Sequence, residues 1–451
     1  VQVLQTNLEI QAGLISARLD RLPATRAVWT RVILLSLGGF FEFYDLFFTG
    51  YIAPGLVRSH ILNTTGIAGF IAAMFSGLFV GTALFGFVAD RLGRRTIFTC
   101  SLLWYSVASV VMAFQNHMLG LDLWRFLGGV GVGVELVTID TYLAELVPKQ
   151  WRGRAFAYNQ TIQFSAVPLV ALLAWLLVPR SPVGLDGWRW VVLIGAAGAI
   201  FVWWIRLRVP ESPRWLAQHG RVVEAEQVLA ELEAGLVLPP PGAPEARTSR
   251  GSFREILKPP YRSRTVMLIV FQLFQTVGFY GFSNWVPTLL IGRGIAITSS
   301  LRYTFLIAIA APLGPLLASA IADKIERKWQ IVLAALGIAF FGVLFGQLNN
   351  IPLLVALGVL VTLSANILSF SSHAYQAELY PTRIRAMAVG FTYSWSRFSV
   401  IFSSFAIAFF LDRFGVPGVF AFIAGSMVIV MLSIGLFGPK TNNLALESIS
   451  N

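Results

Sequence analysis

The sequence predicts an all-α membrane protein: twelve transmembrane helices in two six-helix parallel pseudo-repeats. Three observations carry this. First, the 451 residues are 56% hydrophobic and only 12% charged, against about 25% charged in soluble domains. Half of the expected solvated surface is missing, and the mean hydropathy of +0.71 says that lipid takes its place. Second, the apolar residues fall into runs near the length of about 20 that crosses a bilayer. Third, landmarks in the first half recur at one fixed offset in the second.

The twelve runs are read at 32–56, 67–89, 97–116, 121–144, 155–178, 188–208, 265–291, 301–322, 329–348, 351–378, 386–411 and 416–438. Before them, a polar, partly helical stretch to about Thr30 lacks the pattern of a cleavable signal peptide. The expected organisation is an N-terminal segment (1–31), a six-helix bundle (32–208), a linker (209–264), a second bundle (265–438) and a tail (439–451). Ser212 to Leu232 in the linker reads as a surface helix, and Pro239-Pro240-Pro241-Gly242 as its breaker.

A net charge of +12 does not mark a nucleic-acid binder, because its distribution is topological. Of the 34 Lys and Arg, 26 fall at the termini, the linker and alternate loops, 6 in the other loops, and two (Arg125, Arg397) within apolar runs. By the positive-inside rule both termini and the linker are expected in the cytoplasm. Cys100, the single cysteine, excludes a disulfide framework or a cysteine metal site. No metal-ligand cluster, nucleophile–base motif or phosphate loop is seen, so an enzyme or a primary ATPase is disfavoured, and no cofactor is expected.

The repeat is exact in register. Asp90 and Asp323, Glu145 and Glu378, and Pro54 and Pro287 each lie 233 positions apart. Around them Asp90-Arg91-Leu92-Gly93-Arg94-Arg95 corresponds to Asp323-Lys324-Ile325-Glu326-Arg327-Lys328. Ala144-Glu145-Leu146-Val147-Pro148 with Arg152 corresponds to Ala377-Glu378-Leu379-Tyr380-Pro381 with Arg385. Six helices separate equivalents, so the halves share one orientation, and a cavity between them with alternating access is expected.

In this order these segments resemble the major facilitator superfamily along the whole chain. Pro210-Glu211-Ser212-Pro213-Arg214-Trp215 looks like the sugar-porter motif after helix 6, and Pro439-Lys440-Thr441 like a clipped version of that family's C-terminal motif. Helix 1 carries Phe40-Phe41-Glu42-Phe43-Tyr44-Asp45, similar to metabolite–proton symporters. Helix 4 carries Gly129-Val130-Gly131-Val132-Gly133-Val134-Glu135, similar to niacin and aromatic-acid permeases and their synaptic-vesicle glycoprotein relatives. Sugar porters have a polar set on helix 7 of which this chain keeps Gln275 and Gly278 but carries Phe274 and Tyr280 at the other positions. The resemblance therefore implies proton-coupled import of a small organic acid, nicotinate or another aromatic monocarboxylate, by a monomer in a bacterial inner membrane. A sugar or polyol carrier is the alternative, and a non-transporting receptor of the same fold is the alternative of another class.

Ionisable groups inside a membrane cost roughly 2.5–3.5 kcal/mol each at a helix centre and so mark function. Glu42 and Asp45 share one face of helix 1. Asp45 with Arg125 on helix 4 resembles the pair of the xylose–proton symporters, which assigns proton coupling to Asp45, Arg125 and Glu42; a static ion pair is the competing reading. Arg397 lies about 18 Å along helix 11 from Arg385 and can hold a carboxylate bidentately, or else pair with Glu135. Tyr280, Asn284 and Trp285 are expected wall residues, since helix 7 lines the cavity in this superfamily, and Gln275, together with Glu135 of helix 4, completes the expected substrate site. Asp90, Arg91, Arg94, Glu145, Arg152, Asp323, Glu378 and Arg385 are expected to gate the cytoplasmic face, or only to enforce topology. Tyr142 and Tyr375, like Asp140 and His373, are repeat equivalents expected to face each other near that gate, with Asp140 and His373 as a proton relay.

Overall fold

A computed structural model describes residues 2–238, 240, 252–321 and 324–441. Helix 1 (Arg26–Arg58) starts where Thr25 caps it, its hydroxyl accepting from the Val28 N–H. Helices 2 (Thr64–Leu92), 3 (Arg94–Ala113) and 4 (Met118–Leu146) follow as unbroken rods. Helix 5 is kinked at Ser165 between Arg152–Phe164 and Ala166–Leu177, where Pro168 withholds the N–H of the next turn. Helix 6 is likewise two pieces, Gly187–Ala196 and Gly198–Arg208. In the second half, helix 7 runs Tyr261–Ser283 and restarts as Val286–Ile291. Helix 8 breaks between Ile297–Ala308 and Leu313–Ile321, around Pro312 and Pro315. Helices 9 (Arg327–Gln347) and 10 (Ile351–Glu378) are continuous.

Ten of these stretches are long and apolar enough to cross a membrane. The last of them belongs to a helix of 56 residues, Thr382–Phe437, about 84 Å at 1.5 Å per residue and far beyond one bilayer. Gly415 breaks it at φ 64° just before Pro417, which separates helix 11 from helix 12. With the kinked helix 6 the fold is consistent with the predicted twelve crossings.

Glycine sets the packing inside the first half. A Cβ on Gly77 or Gly81 of helix 2 would stand 2.0 or 2.2 Å from the Phe126 and Val130 carbonyls of helix 4, and one on Gly129 or Gly133 would meet Met74 and Leu78 as closely. The glycine run of helix 4 is therefore a backbone-to-backbone seam. The halves meet along helices 2 and 11 and along helices 5 and 8, two interfaces that the repeat makes equivalent.

Each half is latched by its own tail. After helix 6, the Glu211 carboxylate accepts from the N–H groups of Arg94 and Arg95 at 2.9 and 3.2 Å, and Gly93, at φ 94°, leaves the room it needs. After helix 12, the Thr441 N–H donates to Glu326 at 2.8 Å. Tyr142 donates to the Pro210 carbonyl and Tyr375 to the Pro439 carbonyl. These tyrosines therefore do not face each other, as their symmetry had predicted; each ties down its own half.

The N-terminal segment is a helix, Gln2–Asp20. The linker stretch predicted as one helix forms two, Pro213–Gln218 and Val222–Glu233, parted at Gly220 with φ 77°. Ile15, Leu19 and Leu22 pack with Trp215, Leu216, Leu229 and Leu232 into a second, small core. Arg18 bridges Glu226 and Glu233 at 2.7 and 2.6 Å, and Arg21 reaches Glu233 at 2.8 Å. Asp20 accepts from Arg214 and Arg152, which fastens this unit to the first bundle. Most of the linker breaker, Pro239, Pro241 and Gly242, lies outside the described residues.

Candidate functional site

A cavity of about 460 Å³ opens between the halves, within the range of small-molecule sites. Helix 1 contributes Phe43 and Leu46, helix 4 Asp140, helix 5 Phe156, Gln160, Gln163 and Phe164, and helix 7 Gln275, Phe279 and Tyr280. Helices 10 and 11 add His373, Gln376, Tyr393 and Arg397. The cavity runs toward the face that bears the termini, past Gly153 and Ala377. A second hollow, lined by Gln150, Arg154 and Arg327, continues it there.

The opposite end is shut by aromatic rings. Phe279 packs on Phe47 and Phe164 with centroids 6.4 and 6.2 Å apart, and Tyr280 on Phe75 at 4.6 Å. Beyond them helix 1 touches helix 7: a Cβ on Gly50 would lie 2.1 Å from the Asn284 carbonyl. Trp175 stacks on Phe305 at 5.9 Å across helices 5 and 8.

Arg397, 2% exposed, is the cation of the cavity. Its Nη1 donates to the Tyr280 hydroxyl at 2.6 Å and its Nη2 to the Tyr393 hydroxyl at 2.8 Å. It does not pair with Glu135, whose two carboxyl oxygens have no hydrogen-bond partner. Two of its five N–H groups are thus engaged by phenols, while its Nε has no hydrogen-bond partner. Tyr393 was not singled out from the sequence, although it lies four residues before Arg397 and so shares its helical face. Gln160 and Gln163 were missed as well. Polar side chains spaced i, i+3 on an apolar helix were their signal.

Asp140 and His373 both line the cavity. The His373 Nδ1 lies 2.7 Å from the Ser369 carbonyl, which fixes the proton on Nδ1 and leaves Nε2 as an acceptor. Gln275 donates to Gln272, and Gln272 to Gln376, both at 3.1 Å. Trp285 and Asn284 do not line the cavity. They occupy the break in helix 7, each 1% exposed, beyond the aromatic layer. Glu135 is off the cavity too, fully buried toward helix 1 near Gly38.

Asp45 and Arg125 form a sealed pair at 2.8 Å. Ser109 donates to the other carboxylate oxygen at 2.8 Å, and Arg125 also donates to the Asp45 carbonyl and the Thr49 hydroxyl. Its guanidinium lies 4.3 Å from the Phe48 ring centre. Glu42, one turn away, is fully buried with no partner for either oxygen. Phe43 and Leu46 face the cavity, so the acids occupy another face of helix 1, turned toward helices 3 and 4.

The expected gate residues pair within halves. Arg94 meets Glu145 at 2.9 Å, both in the first half, and Arg327 meets Glu378 at 2.8 Å in the second. Arg152 donates to the Val147 carbonyl and Arg385 to the Tyr380 carbonyl. These bonds brace helix ends and do not join one half to the other. Arg91 is exposed; Asp323 and the Asp90 side chain lie outside the described residues.

The family described as sugar (and other) transporter matches residues 32–451. YyaJ of Bacillus subtilis (strain 168), named for metabolite transport, is 33% identical over 94% of this chain and 95% of its own length. The niacin transporter NiaP of Acinetobacter baylyi is 26% identical over 96% of this chain and 99% of its own. Among solved structures, the xylose transporter XylE from E. coli superposes with a TM-score of 0.77 at 21% identity, over 93% of this chain and all of that one. A two-fold repeat of six helices around a central cavity, with these matches along its length, places the chain in the sugar (and other) transporter family of the major facilitator superfamily, as a membrane transporter and not an enzyme.

Proposed function

We propose that this transporter imports a small organic acid together with protons by alternating access, with nicotinate or another aromatic monocarboxylate as its substrate. The observation that carries the reading is the cavity itself: a buried guanidinium with two phenols, enclosed by Phe43, Phe156, Phe164 and Phe279. Flat aromatic walls favour a flat apolar ring, and one buried cation favours one negative charge. Similarity to a niacin transporter along nearly the whole chain supports the same class.

The Asp45–Arg125 pair supports proton coupling. It sits apart from the cavity, so a proton and a substrate need not compete for one site. A carboxylate released from its guanidinium by motion of helix 1 against helix 4 is free to take a proton, and re-pairing expels it. Coupling then needs only the proton gradient and no bound cofactor. The uneven Lys and Arg distribution supports cytoplasmic termini in a bacterial inner membrane, and on that orientation the cavity faces inward.

Gln160, Gln163, Gln275 and Gln376 favour a second reading, a sugar or polyol, whose hydroxyls need such donors and acceptors. One assay separates the two: uptake of labelled nicotinate, benzoate and xylose into proteoliposomes, with and without an inward proton gradient. Gradient-driven accumulation of an acid, lost in Asp45→Asn while counterflow exchange persists, is the expected result. Xylose uptake without acid uptake would leave the transporter fold and remove the acid.

A further inference from the structure

Beside its cation the cavity presents two phenols, both more open than the guanidinium. Arg397 is 2% exposed and Tyr280 9%, and Tyr393 is more open than either. In both bonds to the guanidinium the phenol oxygen is the acceptor, so each phenol still has its own hydrogen to give. Among the described residues neither hydroxyl donates to a protein group. Both tyrosines line the cavity, on helices 7 and 11, and one planar guanidinium donates to both of their oxygens. A phenol that accepts from a cation is a stronger donor in turn.

We infer that the Tyr280 and Tyr393 hydroxyls form the substrate's carboxylate cradle, with Arg397 a positioning residue behind them. This rests on the organic-acid reading and gives it a specific chemistry. Two hydroxyl donors match the two oxygens of a carboxylate, each in a short charge-assisted bond. A carboxamide of the same shape offers one oxygen and one NH₂, which sets a donor against a donor. The cradle therefore selects acid over amide, by roughly 10- to 100-fold for one charge-assisted bond gained.

The test is equilibrium binding of nicotinate, benzoate and nicotinamide to the purified full chain, as wild type, Tyr280→Phe and Tyr393→Phe. Each Phe variant removes one oxygen, and an unchanged melting temperature without ligand shows that the fold around the cavity is intact. Expected is a loss of about tenfold or more in acid affinity in each variant, with the acid-to-amide ratio falling toward one. Phe variants that bind the acids as well as wild type, or better because the guanidinium has been freed, overturn the cradle while the acid reading stands. A wild type that binds neither acid overturns both.

Discussion

Substitution of Asp45 by Asn tests whether the buried ion pair is held as the geometry implies. The Arg125 side chain is inaccessible and that of Asp45 is 5% exposed, so neither charge can turn to water when its partner is lost. Asn keeps the shape and removes the charge. Arg125 then retains the residue 45 carbonyl and the Thr49 hydroxyl, both at 2.5 Å, and the face of Phe48. Breaking a buried pair from one side costs about 3–5 kcal/mol, and these neutral contacts put the expected loss near the lower end, about 3 kcal/mol. Arg125→Gln alone strands the carboxylate, which keeps only Ser109, and should cost at least as much. The double variant leaves no orphan charge, so it should be more stable than the sum of the two losses by about 2 kcal/mol, inside the range for neighbouring sites. Equilibrium unfolding of the four proteins in one detergent reads this coupling directly. Additivity within about 0.5 kcal/mol would mean that the pair is not held, and the proposed proton switch would lose its basis.

Two further outcomes follow from other contacts. Gly50→Leu places side-chain carbon where the Asn284 backbone now lies, so the end of the cavity beyond the aromatic layer should no longer close; net uptake falls, and a cysteine placed at Phe279 becomes open to a thiol reagent from that end. An unchanged labelling pattern would count against that contact as the closure. Glu233 is held below the usual glutamate range by its bond to Arg18 and then by Arg21. Because its folded value is depressed, the docking it supports is present above the unfolded value of about 4.3 and fades as pH falls through the lower folded one. Hydrogen exchange of Gln2–Asp20 should be constant from neutral pH to about 5 and accelerate, after correction for intrinsic rates, only below roughly pH 4; protection that persists at pH 3 would contradict it.

Much of the architecture was legible because a membrane leaves few choices. Apolar length marks a crossing, and the 233-residue offset revealed the two halves before any contact was known. The Asp45–Arg125 pair was legible through the resemblance to the xylose–proton symporters, and the two side chains do meet. What stayed hidden depends on helix breaks and rotation. Trp285 and Asn284 were placed in the cavity because helix 7, read as one run over 265–291, lines it in this superfamily, whereas the helix stops at Ser283. Glu135 was assigned to the substrate, but the glycine seam rotates helix 4 so that this acid faces helix 1. The partners of the arginines at helix ends were not legible, because spacing shows which charges lie at one face and not which helix each one reaches. The glycine run by which helix 4 resembles the permeases is also a packing requirement.

The two tail latches carry a historical consequence. Gly93 and Glu326 are repeat equivalents, yet in the first half the carboxylate comes from Glu211 after helix 6, and in the second from Glu326 at the start of helix 9. Two copies of one ancestral unit would begin with the acid on the same partner. Here the same junction is closed with the acid on opposite partners. A search for common descent between the halves that compares residue with residue would score both positions as lost, although the tie between tail and helix is present in each.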